Sequence, residues 1–120
     1  MRFVSLVAFV VSLIGIMPAS ALVVRGPGNK SCAVWAADHK TDGIAGSAED
    51  IWLTGYITAY SRWAHRDGDI GLGLDNGALS AYVTQYCSTH PLDTVEVAAE
   101  DLIVQLIAME SAKALGLDRR

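Results

Sequence analysis

The 120-residue sequence predicts an all-α fold: a small helical bundle of three main helices plus a short N-terminal helix, stapled by one disulfide. Three observations predict it. Apolar residues recur at spacings of three and four in three separate stretches, as they do in helices that bury one face. Ser, Asp or Thr precedes these stretches and His-Pro or Gly follows them, which sets their ends. Two cysteines, Cys32 and Cys87, remain behind an opening that reads as an export signal, and a lone pair in an oxidising compartment closes into a disulfide.

The export signal spans residues 1–21. Arg2 supplies the positive start, Phe3 to Met17 is almost wholly apolar, and Ala19-Ser20-Ala21 offers an A-x-A cleavage site. The apolar run is shorter than the roughly 20 residues that span a bilayer, and Pro18 interrupts its end. The expectation is therefore a cleaved signal, no stable membrane insertion afterwards, and a mature protein in the periplasm or secreted. Residues 22–30 form an irregular leader, 31–116 a single helical domain and 117–120 a C-terminal tail.

Within the domain, a short helix starts near Ser31 and carries Cys32 in its first turn and the patch Ala33-Val34-Trp35-Ala36-Ala37. It fades near Asp42-Gly43, and Gly43 and Gly46 mark a connector. Ser47-Ala48-Glu49-Asp50 reads as a capping box for the second helix. There Ile51, Trp52, Gly55, Tyr56, Ala59, Tyr60 and Trp63 share one broad aromatic face, and Gly55 admits the close approach of another backbone. Glycines 68, 71 and 73 make the next stretch a loop. Asp75 or Asn76 then caps a third helix whose Leu79, Tyr82, Val83, Tyr86 and Cys87 share a face, and His90-Pro91 ends it. Asp93-Thr94-Val95-Glu96 caps the longest helix. Its stripe is Val95, Ala98, Ala99, Leu102, Ile103, Leu106, Ile107 and Ala114, and Gly116 stops it.

Charge narrows the function. Loss of Arg2 leaves eight basic residues against thirteen acidic ones and takes the net charge from −4 to −5. The basic residues are scattered while acids cluster at 93–101, which excludes a phosphate-neutralising nucleic-acid binder. Gly71-Leu72-Gly73 follows a helix instead of a strand, so it is no dinucleotide fingerprint. Asp67, Asp69 and Asp75 begin like a calcium loop, but Gly71, Leu72 and Ala78 stand where its remaining ligands and turn glycine belong.

His39, His65 and His90 lack zinc-ligand spacing and read as surface residues, one of which can act as a titration switch. Ser47, Ser61, Ser80 and Ser88 lack a nucleophile-elbow pattern. The pairs Glu49-Asp50 and Glu100-Asp101 read as solvated helix faces, and Asn29-Lys30-Ser31 matches a glycosylation sequon. The expectation is no enzyme, no metal and no cofactor. Trp35, Trp52, Trp63, Tyr56, Tyr60, Tyr82 and Tyr86 are a heavy aromatic load; core packing takes most, and those left outside favour a homodimer or a polypeptide partner. Trp52, Tyr56, Tyr60 and Trp63 are the candidate contact face.

Cys32, the run Trp52-Leu53-Thr54-Gly55-Tyr56, and the stretch from Leu79 through Tyr86-Cys87 to His90-Pro91-Leu92-Asp93 together resemble the HdeA/HdeB family of bacterial periplasmic proteins over residues 31–107. The resemblance implies a small helical bundle with one disulfide that acts as an acid-activated holdase chaperone without cofactor. The chain departs from the lysine-rich chaperones of that family, carrying only Lys30, Lys40 and Lys113 after the signal. With carboxylates protonated, its charge still swings to about +11 at about pH 2, enough self-repulsion to loosen a small fold.

Trp52 to Thr58, the His-Pro turn and the Ala-rich last helix are also similar to periplasmic immunity proteins that neutralise amidase toxins of type VI secretion. Those would carry a cysteine near the Gly-Tyr pair, where this chain has Leu53 and Thr54. A non-catalytic structural or assembly factor of the envelope is the third expectation.

Overall fold

A computed structural model describes residues 23–65, 68–71 and 73–117. The expected signal at 1–21 therefore lies outside the described residues, as do Asp67, Leu72 and the last three residues of the tail. The described residues form four α-helices and no strand: α1 (Cys32–Asp38), α2 (Ile44–Trp63), α3 (Asn76–Thr89) and α4 (Val95–Ala114). The leader is more ordered than its glycines suggested. A 3-10 turn, Gly26–Asn29, has Pro27 at its start and Lys30 N–H donating to Pro27 O at 3.0 Å.

Three of the four starts carry a side-chain cap. Ser31, Asp75 and Thr94 accept from the backbone N–H three residues ahead, satisfying a donor that the first turn otherwise leaves free. The exception is α2, which begins at Ile44 behind Gly43, three residues before the expected Ser47 cap. Ser47 lies inside the helix and donates to Gly43 O at 3.3 Å. Gly46 is no connector residue. It is buried within α2, where an added Cβ would meet Asp38 O of α1 at 3.3 Å, so the absent side chain lets the two helices cross closely.

The core is built from short i, i+4 stripes. Leu53 and Ile57 on α2, Leu79, Val83 and Cys87 on α3, and Val95, Ala98, Ala99, Leu102, Ile103 and Leu106 on α4 are all buried with Trp35 and Cys32. The stripes of α3 and α4 match expectation except at Ala114, which is exposed. The stripe of α2 does not. Ile51 and Trp63 are 74% and 81% exposed, Gly55 has nothing within 4 Å of an added Cβ, and the buried line runs through Glu49, Leu53 and Ile57 instead. Aromatic bulk marks one line along α2, and the 49, 53, 57 spacing is the equally regular alternative that is buried.

Cys32 and Cys87 form the disulfide, with sulfurs 2.04 Å apart, joining the first turn of α1 to the last turn of α3. One turn on, the Trp35 indole N–H donates to Thr84 Oγ1 at 2.9 Å, so α1 is held on α3 twice. An antiparallel bridge pairs Ser31 with Thr94, where Cys32 N–H donates to Asp93 O and Val95 N–H to Lys30 O. No helix among the described residues is long and apolar enough to cross a membrane.

Candidate functional site

The four candidate contact residues divide by depth. Trp52, Tyr56 and Tyr60 are half-buried and pack against the core, while Trp63 projects into solvent with the Arg62 guanidinium 5.8 Å from its ring centre. Trp52 and Tyr56, one turn apart, stack at 5.0 Å between ring centres. Burial and the nearby Glu100 and Glu96 raise the Tyr56 phenol above its ordinary pKa.

The leader covers Trp52 of this pair. Gly26 and Gly28 lie directly on the Trp52 indole: a Cβ on Gly28 would fall 2.5 Å from Cη2, and one on Gly26, whose φ is +78°, would fall 3.2 Å from Cδ1. The indole N–H donates to Arg25 O at 3.0 Å. Residues 23–30 are thus a strap that only glycine allows to sit so close. Trp52 is the part of the aromatic face it covers.

Next to Trp52, one turn back, is the residue that sequence reasoning missed. Glu49, expected as a solvated helix-face carboxylate, is fully buried. Glu49 falls in line with Leu53 and Ile57 on α2 and points inward. Lys30 of the strap meets it, with Nζ 2.9 Å from Glu49 Oε1 and 3.2 Å from Asp38 Oδ2. The signal in the sequence was the register of Glu49 with the apolar stripe; nothing local pointed to Lys30, nineteen residues away.

His39 closes the cluster. Its ring stacks on Trp35 at 4.0 Å between centres and is mostly buried. Nδ1 lies 3.0 Å from Trp35 O and 3.2 Å from Glu49 Oε2, and Nε2 lies 2.9 Å from Asp50 Oδ1. Every one of these neighbours is an oxygen that can accept from the ring. Ser80 of α3 donates to the same Asp50 oxygen at 2.6 Å. Glu49 Oε2 has no hydrogen-bond donor of its own among the described residues. Burial raises the Glu49 carboxyl above its ordinary range despite Lys30, and the hydrogen bond to Glu49 raises the Lys30 ammonium.

The other singled-out residues do not converge. His39, His65 and His90 have separate partners: His65 Nε2 is 2.8 Å from Glu110 Oε2, and His90 stacks on Tyr86. Neither His65 nor His39 is the exposed surface residue expected. Ser47, Ser61, Ser80 and Ser88 donate to Gly43 O, Asp69 Oδ1, Asp50 Oδ1 and Gln85 O, so none faces an imidazole base. Among the described residues no group of three or more His, Cys, Asp or Glu is placed to hold a metal ion.

Of the second acidic pair, Glu100 is solvated as expected. Asp101 instead accepts from the Tyr82 hydroxyl at 2.5 Å, and burial, then Asp101, pushes that phenol up to about 12. An apolar groove of about 480 Å³, with Ile70, Leu74, Leu106 and Met109 in its wall, lies at the far end of α4. Comparison with protein-family models, with curated proteins and with solved structures finds no match.

Proposed function

We propose that the chain is an exported protein that works by binding other polypeptides, performs no chemistry and needs no cofactor, and that it serves as an acid-activated holdase of the HdeA/HdeB-like kind it resembles. The observation that carries this reading is the aromatic run on α2. Trp52, under a strap of two glycines, stacks on the half-buried Tyr56, and Trp63 already stands in solvent beyond them. Flat, stiff rings with one polar atom bind varied apolar segments at little conformational cost, as promiscuous binding requires.

Charge supports the acid dependence. A chain that goes from −5 to about +11 repels itself and repels its own aggregation, while the disulfide limits how far it opens. The test is aggregation of an unrelated acid-unfolded protein followed by light scattering at about pH 3, below the carboxylate range, and at about pH 7. Suppression at acid pH alone is the expected result. No suppression at either pH, with helix content intact, overturns the reading and turns attention to a single tight partner such as a secreted amidase toxin.

A further inference from the structure

We propose that Asn76 is a site of spontaneous covalent modification: the Gly77 backbone nitrogen closes on the Asn76 side-chain amide, and the asparagine becomes aspartate or isoaspartate at the start of α3. The reaction needs only this chain and water, so it stands apart from the polypeptide-binding reading.

The chemistry balances within the chain. The Gly77 nitrogen forms a bond to Asn76 Cγ, the side-chain nitrogen leaves as ammonia with the Gly77 proton, and a cyclic succinimide remains. Water then opens that ring at either carbonyl. One opening gives aspartate; the other gives isoaspartate, in which the main chain runs through the former side chain. The attacking nitrogen must be unshielded and free of another acceptor, and its peptide must be able to turn toward the side chain.

The chain contains two asparagines, Asn29 and Asn76, and the structure separates them. Asn76 and Gly77 are both exposed, and Gly77 brings no side chain to shield its nitrogen. As the second residue of α3, Gly77 has no intrahelical acceptor for its N–H, and among the described residues no other backbone carbonyl takes it. Turning this peptide unwinds only the first turn, the part of a helix that frays most readily. At Asn29 the next residue is Lys30, which is held at every point. Its N–H donates to Pro27 O at 3.0 Å, its carbonyl accepts from Val95 N–H at 2.9 Å, and its ammonium meets Asp38 and Glu49. Asp42-Gly43 has the spacing for the same ring, but there the Gly43 N–H donates to Thr41 O at 2.7 Å.

The product changes the start of α3. This helix carries no charged side chain from Asn76 to Thr89, and the new carboxylate stands beside Asp75 and in the wall of a small pocket that Asp50 shares, where like charges repel. Isoaspartate also adds a carbon to the main chain between Asp75 and Ala78. That displaces the cap in which Ala78 N–H donates to Asp75 Oδ1 at 2.7 Å. The far end of α3 is fixed by the Cys32–Cys87 disulfide, which confines the loosening to the N-terminal end.

The test ages the full mature, oxidised chain in heavy-oxygen water at mildly alkaline pH, and peptide mapping reads the label at each asparagine. Asn76 is expected to take up label at least about tenfold faster than Asn29, the factor that one to two net hydrogen bonds are worth in a rate, with isoaspartate among the products. Asn76→Gln, whose longer side chain closes the ring far more slowly, should remove that label. Equal rates at the two asparagines, label that persists in Asn76→Gln, or label at Asn76 only after urea has unfolded the chain overturns the proposal.

Discussion

Removing the Lys30 ammonium while leaving Glu49 in place isolates the energetics of the buried carboxylate. Lys30→Met keeps the aliphatic stem and takes away the charge that lies 2.9 Å from a fully buried oxygen. The cost has a ceiling, because a stranded carboxylate escapes by taking a proton. Between an ordinary carboxyl value of about 4.5 and pH 7 that proton costs about 3.4 kcal/mol, at about 1.4 kcal/mol per pH unit. His39 still faces the group and the Lys30 head is 36% exposed, so solvent screening brings the expected loss to about 1–2 kcal/mol at pH 7.

The loss should fade to near zero at about pH 4.5, where the carboxyl is protonated anyway. Urea unfolding of wild type and variant at the two pH values measures both numbers, with the midpoint read against an unchanged slope. The double variant Lys30→Met with Glu49→Met should recover most of the loss, since an apolar pair has no charge to strand. An equal loss at both pH values, or none at either, would refute the account of Glu49 as a buried, ion-paired carboxylate.

Three further outcomes follow from the packing. Opening the Cys32–Cys87 disulfide with a double Cys→Ser replacement frees a loop of 55 residues and should cost about 4 kcal/mol in the chain-entropy model, read as a lowered urea midpoint. Gly55→Ala meets open space on a helix exterior and should stabilise by about 1 kcal/mol, whereas Gly46→Ala presses on Asp38 O and should destabilise; thermal melts separate the two signs. The Tyr82 phenol, raised to about 12, contributes stability that is present below its ordinary value of 10.0 and is lost as pH climbs through about 12. Tyr82→Phe should therefore flatten the alkaline end of the stability profile, and an unchanged profile would contradict the Tyr82–Asp101 bond.

Most of the architecture was legible in the residues. The caps at Ser31, Asp75 and Thr94 and the stops at His90-Pro91 and Gly116 are local chemistry, and local chemistry can be read from a sequence. So is the stripe 95, 98, 99, 102, 103, 106, whose period admits no other face. The start of α2 was hidden because Ser47 offers a good cap that the chain does not use; Ile44, at 90% exposure, gives no apolar signal for the extra turn. A carboxylate in register with Leu53 and Ile57 looks solvated until its partner is known, and Lys30 comes from a strap whose course depends on Trp52, Gly26 and Gly28 meeting in space. The aromatic face was half legible: three of its four rings do lie together against the core, but helical spacing cannot tell a half-buried ring from the solvated Trp63.

The central proposal is that the protein holds unfolded polypeptides at acid pH. Its most direct test is the fluorescence anisotropy of a labelled, acid-unfolded client titrated with the oxidised protein across the carboxylate range. The account predicts binding that appears at acid pH and is absent near about pH 7, above the carboxylate range. Binding that ignores pH, or no binding at any pH, would contradict it.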